Sequence, residues 1–316
     1  MASPLLPNEP RIPDEPREQA LTARFLSPAL AALESLFLAL RGELDPALRQ
    51  ARPFKQGKPY PLGQCLEISQ AVQRQLQQLD PTTLDSDAAR GYRALVAFMQ
   101  HGGSVRQVWG DLRGEYFQNA FLVGTLYVDV ANDTVDPAKP PVEVLPFAAS
   151  RLVPVADYRH FARVAARYWQ ARVYPNHLLP ELAPFFPLIT VTAAGFVQLQ
   201  AASNYMIALT LAGAFHPAET VLAEAPKNAS LFGLLRQRLA SQPCALPVAL
   251  AAHPEAGRAA ALAMCQAYRE QGVAEDALRR DTAVKAVLQV NGELARFTAV
   301  ASEGARPQGV LARNDG

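Results

Sequence analysis

Proline decides where this chain can be regular. Its ring fixes φ and removes the backbone donor, so each proline marks a helix start, a sheet edge or a turn. The chain has 26 prolines in 316 residues, against the roughly 5% of an average protein. They are not spread evenly. Pro4, Pro7, Pro10, Pro13 and Pro16 recur at every third residue, the period of a polyproline II helix, which would line them along one edge. Pro53, Pro59 and Pro61 crowd the stretch before Cys65, nine more fall between 137 and 187, and none interrupts 188 to 216. The excess therefore outlines elements and their boundaries.

Half of the residues are hydrophobic and 19% are charged, a composition that buries a core and does not stay disordered. Thirty basic residues face 29 acidic ones, so bulk charge does not draw this chain to a polyanion, and nucleic acid is not an expected partner. Cys65, Cys244 and Cys265 are too few for a disulfide framework and form no Cys-x-x-Cys pair; a reducing cytoplasm is the expected setting. The first ten residues lack the basic flank and apolar run of a secretory leader. The stretch 188 to 215 carries no charged side chain and is long enough to cross a bilayer. Gln198, Gln200, Ser203 and Asn204 sit at its middle, however, where lipid leaves polar groups unpaired. A buried helix over 194 to 214 is expected instead, and no membrane. Gln200, Ser203 and Asn204 on one side of that helix would knit the core or line a pocket for a small polar ligand.

Apolar spacing predicts a helix after Ser27-Pro28, with Leu30, Leu33, Leu36, Phe37 and Leu40 inward. A second follows the Pro/Gly loop 53 to 64 and buries Cys65, Ile68, Val72, Leu76 and Leu79. A third starts at the cap candidates Asp85, Ser86 and Asp87, turns Tyr92, Leu95, Val96 and Met99 inward, and ends near Gly102-Gly103. From about 115 the texture changes to β-formers. Tyr116 to Val130, broken at Gly124, reads as a hairpin or one bent strand, and Val142 to Leu145 as a short strand. Helices are expected again at roughly 157–173, 229–240 and 255–271. Asn291-Gly292 carries a hairpin signal, although a helix could also run through it. The expected class is α+β: a mainly helical body with a small antiparallel sheet. The expected segments are a proline-rich tail or strap over 1–20, helices plus sheet over 21–150, a mainly helical part over 151–301 and a tail over 302–316.

A thiol becomes nucleophilic where its thiolate is stabilised, and the unpaired N–H groups of a helix N-terminus do this. Cys65 is expected at such a start. Gly63-Gln64-Cys65 resembles the Gly-Gln-Cys-Trp helix start of the transglutaminase family, whose fold is similar to the papain-like thiol proteases. The resemblance implies a cysteine nucleophile for acyl or amide transfer, or hydrolysis, on a helix packed against a small antiparallel sheet. It implies a histidine base on one strand and an orienting carboxylate or amide on the next. By that likeness Gln64 neighbours the oxyanion or positions the backbone, and Asp129 or Asp133 falls where the orienting residue would lie. No histidine occurs between His101 and His160. Gln118 and Asn119 stand near the place of the base and cannot accept a thiol proton. His160 or His177 could be borrowed from elsewhere in the chain.

Other readings compete. Asp129, Asp133 and Asp136 follow an apolar strand and could hold Mg²⁺ or Mn²⁺, or simply cap the strand exit. The five histidines show no metal-ligand spacing, and no phosphate loop or serine elbow appears, so no cofactor is expected. Arg159, Arg163 and Arg167 recur every fourth residue, a ridge that could grip an anion or stand solvated. Together with the proline repeat, which could be read by an aromatic groove, they make a non-catalytic scaffold that binds a protein or peptide the alternative to an enzyme.

Overall fold

The computed structural model describes residues 4–55, 57–200, 203–242 and 246–296. Cys244 and the expected tail over 302–316 lie outside them. The chain is α+β with a mainly helical body, as expected, and divides into two compact units. The first comprises residues 1–169 and 202–217, the second 170–201 and 218–316.

In the first unit α1 (Glu15–Leu21) leads through a π turn and a 3-10 turn at Pro28 into α2 (Leu30–Ala51). Leu33, Leu36, Phe37 and Leu40 are fully buried, while Leu30 stays 40% exposed at the first turn. The run Glu15–Ala51 is long and apolar enough, by length and composition, to cross a membrane; in this unit its apolar stripe packs into the core. Two short strands, β1 (Phe54–Lys55) and β2 (Lys58–Pro59), turn the proline-rich loop into a small hairpin. Then come α3 (Cys65–Gln78) and α4 (Ser86–Gln100), the latter capped by Asp85 on the amides of Asp87 and Ala88. In α4, Leu95 and Phe98 point inward, and Met99, expected inside, is 41% exposed. Helices α2 and α4 approach so closely that a Cβ on Gly91 would lie 2.1 Å from the Ala32 carbonyl oxygen.

A five-stranded antiparallel sheet follows: β3 (Val105–Leu112), β4 (Tyr116–Val123), β5 (Leu126–Asp129), β6 (Glu143–Pro146) and β7 (Leu152–Val153). Their spatial order is β6-β5-β4-β3-β7. A flat sheet would hold its two edge strands roughly 19 Å apart. Here β6 and β7 are joined only by α5 (Phe147–Ser150), a single turn, and Arg113 at the end of β3 reaches Glu143 on β6 at 3.1 Å. The sheet therefore curls on itself. Its inner face buries Val108, Leu112, Tyr116, Ala120, Leu122, Tyr127 and Leu152 against one another. Its outer face presents Phe121, Val123, Val128 and Val130 to the cluster built by α2, α3 and α4.

The open edge of β3 is closed by the N-terminal segment. Trp109 N–H donates to the Asn8 carbonyl at 2.8 Å, and Arg106 donates to the Arg11 and Glu9 carbonyls. Pro10 is buried there. Residues 8–11 are thus a strap on the protein's own sheet edge, which is how an edge strand is kept from pairing with another chain; of the five repeat prolines Pro10 lies in it, while Pro16 belongs to the first turn of α1. Helices α6 (Tyr158–Tyr168) and α7 (Asn204–Ala212) complete this unit. Tyr158 donates to the Met206 carbonyl and shares a hydrogen bond with the Thr210 hydroxyl.

The second unit holds a three-stranded sheet of β8 (Arg172–Pro175), β9 (Leu188–Val191) and β10 (Val197–Leu199). The helix expected over 194–214 is thus a strand turn at Gly195 (φ +82°) followed by α7. Gln200 precedes that helix and does not share its face with Ser203 and Asn204. Thr190, Val191, Thr192 and Val197 favour a strand, and the lack of charge hid the break. α8 (His216–Leu222) runs from one unit's residues into the other's. Then come α9 (Ala229–Ala240), α10 (Pro254–Glu270) and α11 (Ala277–Leu294). The Asn291-Gly292 hairpin does not form, because α11 continues through it. Asn291 instead accepts from Leu199 N–H at 2.8 Å and donates to its carbonyl at 3.2 Å, serving as a strand partner for β10.

Candidate thiol site

The loop that delivers Cys65 is fixed at both ends. Gly63, in the left-handed region at φ +73°, donates its N–H to the Thr134 carbonyl at 2.9 Å. The buried Gln64 side chain donates to the Arg52 carbonyl at 3.0 Å. Gln64 is therefore a tie within the loop, with one of its two amide hydrogens used there. Tyr60 donates to Asp45 Oδ1 at 2.6 Å. Cys65 then opens α3, as expected, at a helix start that has no side-chain cap.

The sulfur faces the outer side of the sheet. Asn119 Nδ2 lies 3.4 Å from Cys65 Sγ, and one turn along α3 Ser69 donates to the Asn119 carbonyl at 3.1 Å. Cys65 is 8% exposed. Burial pushes its thiol above the ordinary value, and the hydrogen bond from Asn119 offsets only part of that. A helix N-terminus lowers a thiol pKa where water reaches it; here desolvation wins.

Asp129 does not share this face. Alternation from the Phe121–Val128 pair puts Asn119 on the outer face, where Val130, just past β5, is also buried in the helix-side cluster. Asp129 belongs with Gln118 on the inner face. It accepts from Gln118 Nε2 at 2.7 Å, Tyr127 OH at 2.8 Å and Ala131 N–H at 2.8 Å. It has no exposed surface, and burial raises its carboxyl to about 6 against those three donors. Gln118 Oε1 is buried without a partner.

Asp133 is occupied elsewhere. It forms a two-pronged pair with the buried Arg41, at 3.0 and 2.9 Å. Arg41 also donates to Asp45 at 2.6 Å and the Val130 carbonyl at 2.7 Å. Burial works to lower the arginine's pKa, but the two carboxylates hold it above its ordinary value. Asp129 and Asp133 thus serve two separate networks, and among the described residues no group of three or more His, Cys, Asp or Glu side chains is placed to hold a metal ion.

Neither distant histidine is free. His160 Nδ1 accepts from Ala156 N–H at 3.1 Å, which leaves Nε2 to donate to Asp111 at 2.7 Å. His177, in the second unit, holds the Leu222 carbonyl at 2.9 Å, and burial lowers its pKa. Arg159, Arg163 and Arg167 are exposed on α6, as their spacing predicts.

Asn119 carries little functional signal in the sequence, because an amide is not a base. Strand alternation is the available signal: Asn119 and Phe121, two residues apart on β4, share the outer face that meets the helices. Comparison of the chain with protein-family models, with curated proteins and with solved structures gives no match.

Proposed function

We propose that this chain is a non-catalytic binding protein built on a degenerate thiol-enzyme layout. In this reading Cys65, Asn119 and Val130 stand at the positions that the transglutaminase-like plan gives to nucleophile, base and orienting residue. The observation that carries it is the Asn119 amide 3.4 Å from Cys65 Sγ. An amide can donate to the sulfur but cannot take its proton, and the aliphatic Val130 has nothing with which to orient a base. The raised thiol supports the same conclusion, since a cysteine without a general base can attack only as the thiolate.

The test is to restore the missing group. Asn119→His should raise the rate at which iodoacetamide alkylates Cys65 at neutral pH by roughly tenfold or more, with the melting curve confirming that the variant folds. An unchanged rate in the folded variant would show that position 119 is not the place of a base. A wild-type Cys65 that alkylates faster than glutathione would overturn the non-catalytic reading itself.

A further inference from the structure

The near-neutral chain gathers its cations unevenly. At the β3–β4 turn, five segments bring positive side chains to one end of the curled sheet. Arg113 lies on the turn, and its N–H donates to the carbonyl of Arg151, the residue that ends α5, at 3.2 Å. Arg167, on the last turn of α6, donates to the Gly114 carbonyl at 3.4 Å. Lys139 donates to Tyr116 OH at 3.1 Å and lies 5.4 Å from the ring centroid. Lys58, from the β1–β2 hairpin, stands 5.7 Å from the Tyr168 ring centroid, and the Tyr116 and Tyr168 rings are 5.9 Å apart.

The carboxylates nearby are already engaged. Glu143 takes Arg113 at 3.1 Å and Glu115 lies 3.7 Å from Arg167. Asp136 accepts from the Ala138 amide in its own turn. Lys55 and Arg52 are drawn to Glu67. Among the described residues, no carboxylate lies within ion-pair distance of Lys58, Lys139 or Arg151. Two ammonium groups therefore flank one tyrosine pair, with a third cation close by, and the whole end carries a local surplus on a chain whose net charge is +1.

We propose that this end of the curled sheet docks an acidic peptide segment of a partner protein, through Lys58, Lys139 and Arg167 around the Tyr116–Tyr168 pair. A peptide fits better than a nucleic acid. The cations are few, and the two rings are half-buried or buried beneath lysines, so no open aromatic face is offered for base stacking. Opposite charge steers and orients such a partner, and the tyrosines give its apolar positions a floor. The surface does not depend on whether Cys65 reacts, so this inference and the proposed non-catalytic role fail separately.

The experiment is fluorescence anisotropy with a fluorescein-labelled Glu-Ala repeat peptide of about ten residues, at low and at physiological salt. The full chain should bind it, more weakly as salt rises. Lys58→Glu combined with Lys139→Glu should weaken binding by about tenfold or more. Arg90→Glu, an exposed charge reversal on α4, should change it less than about twofold. Absence of binding at low salt would overturn the proposal, as would equal losses in the two variants. Tighter binding of an oligothymidylate, or of phosphatidylserine vesicles, than of the peptide would overturn it in favour of that ligand.

Discussion

Asp129 makes the stability of the first unit depend on pH in an unusual direction. Its carboxyl has no exposed surface and is raised from 3.8 to about 6. A group raised in the folded state holds its proton more tightly there than in the unfolded chain. Between those two values the folded chain binds more protons, so stability falls as pH rises through the window. About two pKa units correspond to roughly 3 kcal/mol, present in full below pH 3.8 and lost above pH 6. Asp129→Asn removes this dependence. The asparagine oxygen can still accept from Gln118 and Tyr127, but its NH₂ then opposes the Ala131 N–H, a pH-independent cost of about 1–3 kcal/mol. The variant should therefore be less stable than wild type near pH 4, and the gap should close or reverse by pH 7. Urea unfolding followed by tryptophan fluorescence measures this directly, because Trp109 and Trp169 both belong to the first unit. Carboxylates lowered in the folded state, such as Glu9, impose the opposite slope on both proteins and cancel in the difference. A gap constant to within about 0.5 kcal/mol from pH 4 to 7 would refute the reasoning, since it would mean that Asp129 does not titrate differently on folding.

Three further outcomes follow from the packing. Arg41→Met leaves Asp133 and the Val130 carbonyl without their donor and should cost about 3–5 kcal/mol in the same urea assay; a loss under about 1 kcal/mol would mean that water replaces the guanidinium. Gly91→Ala should destabilise by at least about 2 kcal/mol, because its Cβ would meet the Ala32 carbonyl. Gly42→Ala, in the same helix pair with nothing within 4 Å, should be neutral or stabilise by up to about 1 kcal/mol. Equal effects from the two glycines would contradict the close approach of α2 and α4. Removing residues 1–13 uncovers the edge of β3 and should raise aggregation by light scattering while the Trp109 environment changes; a monodisperse truncated chain would show that the strap is dispensable.

The helices were legible because their signals are local. Asp85 and Asn228 cap where short polar residues precede apolar periodicity, and 229–240 matches its helix end to end. β3 was not, and its sequence explains why. Val105, Val108, Trp109 and Leu112 recur at helical spacing, and only pairing with β4, β7 and the N-terminal strap makes this segment a strand. The site was half legible. Cys65 opens a helix where the Pro/Gly loop ends, as the sequence implies. The facing partner is a different matter. Asp129 and Val130 are adjacent, and a shift of one residue in a strand exchanges the two faces of the sheet. Chemistry favours Asp129 and register favours Val130; register depends on long-range pairing that no local pattern carries.

The central claim is that Cys65 is a buried thiol with an amide for a neighbour, and the pH dependence of its alkylation tests that most directly. Peptide mass spectrometry can follow iodoacetamide modification of Cys65 alongside Cys265, whose thiol is raised by burial to about 12. A slow reaction is expected at both, rising with pH without a plateau below about pH 9. A plateau at Cys65 near neutral pH, with a rate well above that of Cys265, would mean that a thiolate is held there and would contradict it.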